Sequence, residues 1–486
     1  MIKKMKIEQK MYFKAYLSRD ARFDGIFYVG VLSTGIYCRC ICPARRPKES
    51  NCRFFKSTGE AEKEFFRPCL RCRPELAPGQ SPVDDAHRLA NLLISSMQEG
   101  LFDELGLEDI ALKFNLSSRQ IRRVIQKEFG VSPIQLLLTR RLLLAKQLLT
   151  DTDLSVIDIA FASGFSSLRR FNDAFKKHYR MPPSQLKKEG QRKKTFFPSA
   201  YITLQLNYRP PYDWIGFLNF LSIRSLKGIE LVKNNCYLRT VQIREYKGWI
   251  HVSHVEDKHC LRVKIASSLV PVLAILLERI RNFFDLNARP DKISVQLGQD
   301  PFLAEEVAKN PGLRVPGTFD GFELAFRAIL GQQITVKAAT TLASRFVKAF
   351  GEEFKTPFAE LHYLCPSSQR ISSLKWEEIA TIGIIRARAQ TIIELAKQMS
   401  SNTLKLEAGV NLRLTIKQLT SIAGIGQWTA HYIALRALQW PDAFPKEDVA
   451  LRKKLGKVTA KQAEKLSQVW RPWRSYATLY LWQKKD

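Results

Sequence analysis

Apolar and polar positions follow different rules in successive stretches of the chain. Up to about Gly79, short apolar runs such as GIFYVGVL (25–32) are broken by turns and by cysteines, as in a small module with little core of its own. The run LAPGQSP (76–82) reads as a linker. From Asp84 to about Lys188, Leu and Ile recur at helical spacing among Arg and Lys, with turns at Gly130 and Gly164, which predicts an all-helical unit. After the basic run KKEGQRKKT (187–195), the segments 200–208, 236–246, 248–255 and 259–266 alternate or run apolar in the manner of strands, with helical stretches among them. They predict an α+β domain. From about Phe319 onward the pattern is helical again, interrupted by glycine turns at TIGI (381–384) and IAGIG (422–426). The expected fold class is multidomain α+β, divided as 1–80, 84–190, 200–310 and 311–486.

Charge adds a partner. Lys and Arg number 77 against 46 acidic residues, a formal +31 over 486 residues, and the excess is shared between the two halves of the chain. Such a balance points to a polyanion, nucleic acid before an acidic membrane surface. The basic opening MIKKMKIEQK has no apolar core behind it, and the run LVPVLAILL (269–277) is too short to span a bilayer. Neither secretion nor a membrane anchor is expected. Nine cysteines, odd in number and unevenly clustered, suit the reducing cytoplasm and metal or thiol chemistry rather than a disulfide framework.

Five of those cysteines fall in TGIYCRCICPARRP (34–47) and FRPCLRCRP (66–74). Cys38-x3-Cys42 and Cys69-x2-Cys72 are two close pairs, the spacing that lets four thiolates surround one Zn(II). Cys40 could replace either member of the first pair, Cys52 has no close partner, and from spacing alone the zinc could be purely structural. The two stretches resemble the N-terminal zinc domain of the Ada family, bacterial adaptive-response proteins that remove methyl groups from DNA phosphotriesters. The resemblance implies that Cys38 is both zinc ligand and irreversible methyl acceptor, and that Cys42, Cys69 and Cys72 complete the site. Arg45 is a candidate phosphate contact, or an ordinary solvated side chain. Cys40 departs from the family pattern, which commonly has proline there.

In the helical unit, LEDIALKFNLSSRQIRRVIQKEFG (107–130) has a polar break at Asn115–Ser118 and then a helix carrying Arg119, Arg122 and Arg123. A second copy, SVIDIAFASGFSSLRRFNDAFKKHY (155–179), turns at Ser163 and Gly164 and carries Arg169, Arg170 and Lys176. Each reads as a helix-turn-helix or, taken alone, as a bundle with solvated basic faces. The pair resembles the AraC-type DNA-binding domain. Arg119 and Arg169 are then candidates for base or phosphate contact, promoter DNA is the implied ligand, and RNA polymerase is a further implied partner.

The segments LNYRPPYDWIGFLNFLSIRSLKGIE (206–230), GLRVPGTFDGFELAFRAILGQQIT (312–335), IAGIGQWTAHYIALRAL (422–438) and WRPWRSYATLYLW (470–482) resemble the AlkA-type alkylbase DNA glycosylases of the helix-hairpin-helix superfamily. Gly424 and Gly426 allow a tight hairpin whose N–H groups can approach a phosphate, or merely turn the chain. The resemblance implies Asp448 as the catalytic carboxylate, with Glu447 as runner-up; a capping aspartate is the plain alternative. It also implies an aromatic base pocket of Phe220, Trp428, Tyr432 and Trp482, although aromatics at helical spacing are more often core. Trp428 stands where strand-cutting relatives carry lysine, so a monofunctional glycosylase is expected. No cysteine follows Cys365 to hold an iron-sulfur cluster. Gln333 replaces the leucine wedge that fills the gap left by a flipped base.

Together these resemblances imply a DNA methyl phosphotriester acceptor and transcriptional activator fused to a glycosylase that releases alkylated bases such as 3-methyladenine from double-stranded DNA. The rival is a transcription factor with structural zinc and a non-catalytic DNA clamp. An O6-alkylguanine acceptor is disfavoured, since no Pro-Cys-His-Arg motif surrounds Cys236, Cys260 or Cys365.

Overall fold

The computed structural model describes residues 2–78, 93, 107–108, 111, 116–191 and 200–484; the side chains of 2–7 and 189–191 are outside this description. Most of the expected linker at 76–82 and of the helix expected before Asn115 also lies outside it. The chain forms two compact units, Met1–Pro210 with Val255–Glu278 and Leu286–Ala288, and Pro211–His254 with Arg279–Asp285 and Arg289–Asp486. A mixed fold of zinc-site cysteines, helix-turn-helix and helix-hairpin-helix elements results.

In the first unit, strands β1 (Tyr28–Val31), β2 (Ile36–Arg39), β3 (Cys52–Phe55) and β4 (Arg67–Pro68) form a sheet in the order β3-β1-β2-β4. Gly30 lies beneath two rings: a Cβ there would stand 2.5 Å from the Phe55 ring and 2.8 Å from that of Phe66. The bare backbone thus lets both aromatics cover the sheet. A basic opening that sequence periodicity left unassigned is the helix Ile2–Ser18, and it buries Ala15 and Tyr16 against Phe27, Val29 and Cys40.

Beyond the module, helix Ser118–Phe129 begins at a capping box between Ser117 and Gln120 and stops at Gly130, whose φ of 73° suits a glycine cap. Helix Pro133–Asp151 follows with the same box, Ser132 and Gln135, and proline in its first turn. Then come Val156–Ala162, the turn at Ser163 and Gly164, and Leu168–Tyr179, as the second helix-turn-helix pattern requires. Strands Tyr201–Asn207 and Cys260–Ala266 pair antiparallel, matching two of the expected strand segments.

The zinc-site module is joined by buried and part-buried polar contacts to helix Ser118–Phe129 and to the long helix Pro133–Asp151. Ser57 Oγ donates to the Phe129 carbonyl at 2.7 Å, Lys146 Nζ reaches Glu75 at 2.6 Å, and Arg73 grips both carboxylate oxygens of Asp151 at 2.7 and 2.8 Å. Glu62 accepts from Tyr37 at 3.0 Å and from Thr139 at 2.9 Å. Burial pushes its carboxyl up to about 7, against the opposing pull of those two hydroxyls and Lys146.

The second unit holds the meander Glu230–Lys233, Cys236–Ile243 and Tyr246–Val255. Its first turn is Asn234–Asn235, both at positive φ, the conformation that a two-residue hairpin needs and asparagine tolerates. Helices then dominate, among them Gly321–Leu330, Val336–Phe350, Arg386–Ser400, Leu412–Ser421, Gln427–Arg436 and Arg474–Gln483. A two-stranded ladder of Glu352–Glu353 with Tyr363–Leu364 interrupts the helical run expected there. It is too short to leave a period-two signal. Buried charges tie the meander to the first of these helices: Arg239 to Glu323 at 2.7 Å and Arg327 to Glu230 at 3.0 Å, with Arg327 also paired to Glu323 within the helix at 2.9 Å.

Candidate functional site

The sulfurs of Cys38, Cys42, Cys69 and Cys72 all lie within 4.8 Å of one another and are buried. Four sulfurs tetrahedral about one zinc ion, each at about 2.3 Å, stand roughly 3.8 Å apart, so the cluster fits that ion with small adjustment. Strand pairing sets the positions. Cys38 sits in β2 opposite Val29 of β1, and the Cys69 N–H donates to the Tyr37 carbonyl at 3.0 Å, bringing the second pair to the first. The Arg39 N–H donates to Cys72 Sγ at 3.3 Å, a contact that favours a thiolate there.

Cys40 is not part of this cluster. It is wholly buried on the hydrophobic core with Tyr16 and Phe27, its Sγ 3.3 Å from the Asp20 carbonyl, and burial raises its pKa above that of an ordinary thiol. The spacing alternative in which Cys40 replaces a ligand thus has no geometric support. Arg39, absent from the candidates, forms a buried ion pair with Asp24 and donates to the Cys72 carbonyl at 3.2 Å. An arginine inside a short strand gives no sequence signal for such a buttress. Arg45 is exposed, as are Arg119 and Arg169 at the starts of their helices.

In the second unit, Asp448 caps helix Val449–Lys454, accepting from the Leu451 N–H at 2.8 Å through Oδ1. The carboxylate also receives two indole N–H groups, Trp428 Nε1 on Oδ2 at 2.8 Å and Trp482 Nε1 on Oδ1 at 3.2 Å. Capping and an ordered carboxylate are thus the same arrangement. Glu447 makes none of these contacts among the described residues.

Tyr432 stacks on Trp428 at 5.4 Å and 15°, and lies 6.1 Å from Trp482. Phe220 joins them through Arg436, whose guanidinium lies 5.2 Å from the Phe220 ring and 5.9 Å from the Tyr432 ring and donates to the Tyr432 hydroxyl at 3.1 Å. Arg224 covers Phe220 at 3.8 Å. Burial alone would raise the Tyr432 pKa, but Arg436 and Arg224 outweigh it and bring the phenol below its usual value. Neither arginine was among the sequence candidates. All four aromatics keep partial exposure, unlike core rings.

The hairpin loop forms at Gly424, where φ is 90° and a Cβ would stand 2.2 Å from Thr391 Oγ1. Only glycine fits that approach without displacement. Gly426 caps helix Gln427–Arg436, and a Cβ there would meet nothing within 4 Å, so the backbone is open to a ligand. Gln333 is exposed between two helices at a left-handed φ of 56°.

Family models match along the chain: the metal binding domain of Ada at 11–75, a helix-turn-helix domain at 110–189, the AlkA N-terminal domain at 203–320, and the HhH-GPD superfamily of base excision DNA repair proteins at 326–473. The chain is 36% identical over 479 residues to a Mycobacterium tuberculosis protein described as a "probable bifunctional transcriptional activator/DNA repair enzyme AlkA", covering 97% of this chain and 95% of that one. It is 34% identical over 278 residues to DNA-3-methyladenine glycosylase 2 of Escherichia coli, 57% of this chain and 95% of that protein. The solved 3-methyladenine DNA-glycosylase of Archaeoglobus fulgidus shares the fold over 57% of this chain and 96% of its own, with a TM-score of 0.51 at 20% identity. Among the described residues no helix is long and apolar enough to cross a membrane.

Proposed function

The chain belongs to the AlkA-type bifunctional transcriptional activators and DNA repair glycosylases, and from that premise we propose what each half does. The proposed domains are 1–80 for methyl acceptance, 84–190 for promoter binding, 200–310 for the α+β part of the glycosylase and 311–486 for its helix-hairpin-helix part.

In the glycosylase half, the observation that carries the reading is the Asp448 carboxylate, fixed by one backbone N–H and two indoles beside a cluster of partly exposed aromatic rings. An alkylated, cationic base is already a good leaving group. The C1′–N bond breaks with its electron pair going to the base, an ionised carboxylate stabilises the oxocarbenium-like sugar, and water adds to C1′ and loses one proton to solvent. Trp428, Tyr432, Trp482 and Phe220 stack on the extruded base, and 3-methyladenine is the type substrate. With an indole in place of a lysine amine at 428, no Schiff base forms and the strand stays uncut. Gly424 and Gly426 hold a phosphate, and Gln333 fills the vacated stack.

In the other half, Zn(II) held by Cys38, Cys42, Cys69 and Cys72 keeps their sulfurs deprotonated at neutral pH. Cys38 Sγ attacks the methyl carbon of a phosphotriester; the S–C bond forms, the C–O bond breaks, and the phosphate oxygen keeps the electron pair as an ordinary diester. The thioether has no easy return, so each molecule acts once. One negative charge disappears from the cluster, repulsion from DNA phosphates falls, and the helix-turn-helix pair, with Arg119 and Arg169 on DNA and Arg45 on phosphate, occupies its promoter and engages RNA polymerase. The proposed compartment is the cytoplasm. The test is one incubation of the full chain with methylated duplex, with released base analysed by chromatography and the protein by peptide mass. Released 3-methyladenine together with one methyl group on Cys38 is expected. No released base would leave the rival reading, a clamp with structural zinc.

A further inference from the structure

Gln333 sits at a left-handed φ in the segment between helices Gly321–Leu330 and Val336–Phe350. That conformation is unfavourable for a residue with a Cβ and persists only where neighbours hold it. The holding contacts are one residue earlier. Gln332 Nε2 donates to the Gly424 carbonyl at 2.8 Å and to the Thr429 hydroxyl at 2.9 Å, which uses both protons of its amide. The Gln332 carbonyl in turn accepts from the Arg388 guanidinium. Gly424 is the left-handed residue of the hairpin loop, Thr429 lies in the first turn of the helix that this loop opens, and Arg388 lies in the first turn of helix Arg386–Ser400. A separate bond, from Thr391 Oγ1 to the Ala423 carbonyl at 2.8 Å, ties that last helix to the same loop.

We propose that Gln332 is a positioning residue for base excision: it locks the Gln333 segment to the hairpin loop, so that the grip on the phosphate backbone sets where Gln333 enters the duplex. The inference rests on the glycosylase reading above. An isolated wedge on a strained backbone would relax when pushed against stacked bases. One tied to the loop that holds the strand transmits the push, because hydrogen bonds to the loop carbonyl, the helix and the arginine must break together before the segment can yield.

The chemistry of the brace is specific. Glutamate at 332 has the same shape but presents oxygen to the Gly424 carbonyl and repels it; methionine fills the volume and donates nothing. Thr429→Val removes one of the two bonds and leaves the carbonyl contact.

The experiment uses the full chain and three duplex probes: 7-methylguanine in a pair, 7-methylguanine in an unpaired bulge, and a pair flanked by 2-aminopurine, whose fluorescence reports extrusion of the lesion. For Gln332→Glu and Gln332→Met, duplex affinity stays within about threefold of wild type, while extrusion amplitude and single-turnover release from the paired lesion fall at least about tenfold, as loss of both side-chain hydrogen bonds implies. Release from the bulge, where no stack has to be opened, returns to within about threefold of wild type. Thr429→Val shows the same split at roughly half the logarithmic size, and covers the case in which a Gln332 variant does not fold. Equal losses on paired and bulged lesions, or an unchanged extrusion amplitude, would overturn the proposal. A wild-type chain that releases no base from either probe would instead remove the glycosylase reading beneath it.

Discussion

Cys38 and Asp448 are the two groups on which the proposed chemistry turns, and they are held in opposite ways. Cys38 is 5% exposed and sits in a closed set of four sulfurs, within a module sewn to its helical neighbour by buried and part-buried polar bonds. Asp448 stands at a helix start, half-buried, with two indole donors from a cluster of partly exposed aromatic rings. A nucleophile spent once needs no product exit. It needs a deprotonated sulfur and neighbours that feel the loss of its charge; zinc held by the four sulfurs would supply the first, and the bonded interface the second. A carboxylate used at every turnover needs fixed orientation and access for base and water; the two indoles fix Asp448, and the partial exposure of the rings beside it is compatible with access.

The comparison breaks most sharply at the sulfurs. Cys38→Ala should abolish methyl uptake from phosphotriester DNA altogether, whereas Cys40→Ala should keep uptake and metal content and cost stability alone, about 1 to 2 kcal/mol for a small buried side chain. Peptide mass and metal analysis check both. Methyl found on Cys40 in the wild-type protein would undo the assignment.

Next in size is the carboxylate. Asp448→Asn should cut single-turnover release of 3-methyladenine by about a thousandfold or more while duplex affinity holds or rises, because a charge facing phosphates is removed. Trp428→Phe keeps a stacking ring and deletes the 2.8 Å indole bond, and should cost about tenfold to a hundredfold. Trp482→Phe, which loses the 3.2 Å bond, should cost less. A Trp428→Phe enzyme as fast as wild type would mean that the indole is only a wall.

Much of this site was legible in the chain because the relevant signals are local. Cysteine spacing marks the metal site as two close pairs, with Cys40 left open as a replacement in the first, and a proline three residues before an aspartate marks a helix start at Asp448, whose catalytic role is implied only by the family resemblance. What stayed illegible depends on distant partners. Cys40 has the spacing of a ligand and is excluded only by the core it packs into. Arg39 finds Asp24, and Arg436 reaches both Phe220 and Tyr432, through tertiary contacts that no periodicity records. The helix Ile2–Ser18 was hidden because its buried residues, Ala15 and Tyr16, lie near its end, behind a lysine-rich opening that reads as solvated.

Glu62 offers a smaller but cleaner break. Its carboxyl, ordinarily near 4.5, is pushed up to about 7 by burial between Tyr37 and Thr139. Between these values the unfolded chain has released this proton and the folded chain retains it, so the contribution is full below about pH 4.5 and is lost as pH rises toward about 7. For a fully buried group the loss is about 3 kcal/mol. Denaturant unfolding of the first unit at about pH 5 and about pH 8 should show that decline, and Glu62→Gln should flatten this contribution. An unchanged pH dependence in the variant would mean that the carboxyl is not buried as described.

The smallest expected effect decides how the spent sulfur is read. Loss of one negative charge near phosphates is worth about 1 to 2 kcal/mol at a partly screened surface, or roughly tenfold in promoter affinity. That gain should shrink as salt rises, since screening weakens interactions between exposed charges. The interface suggests a competing route: Tyr37 precedes Cys38 in β2, and its hydroxyl meets Glu62, which holds Thr139 on the long helix. A mechanical signal along that path would survive salt and fail in Thr139→Val, whereas an electrostatic one would fade with salt and survive the substitution. Promoter affinity is measured for methylated and unmethylated protein at two salt concentrations, in wild type and Thr139→Val. An electrostatic switch predicts a gain that falls with salt equally in both proteins. Equal affinities before and after methylation under every condition would reduce Cys38 to a repair residue with no regulatory output.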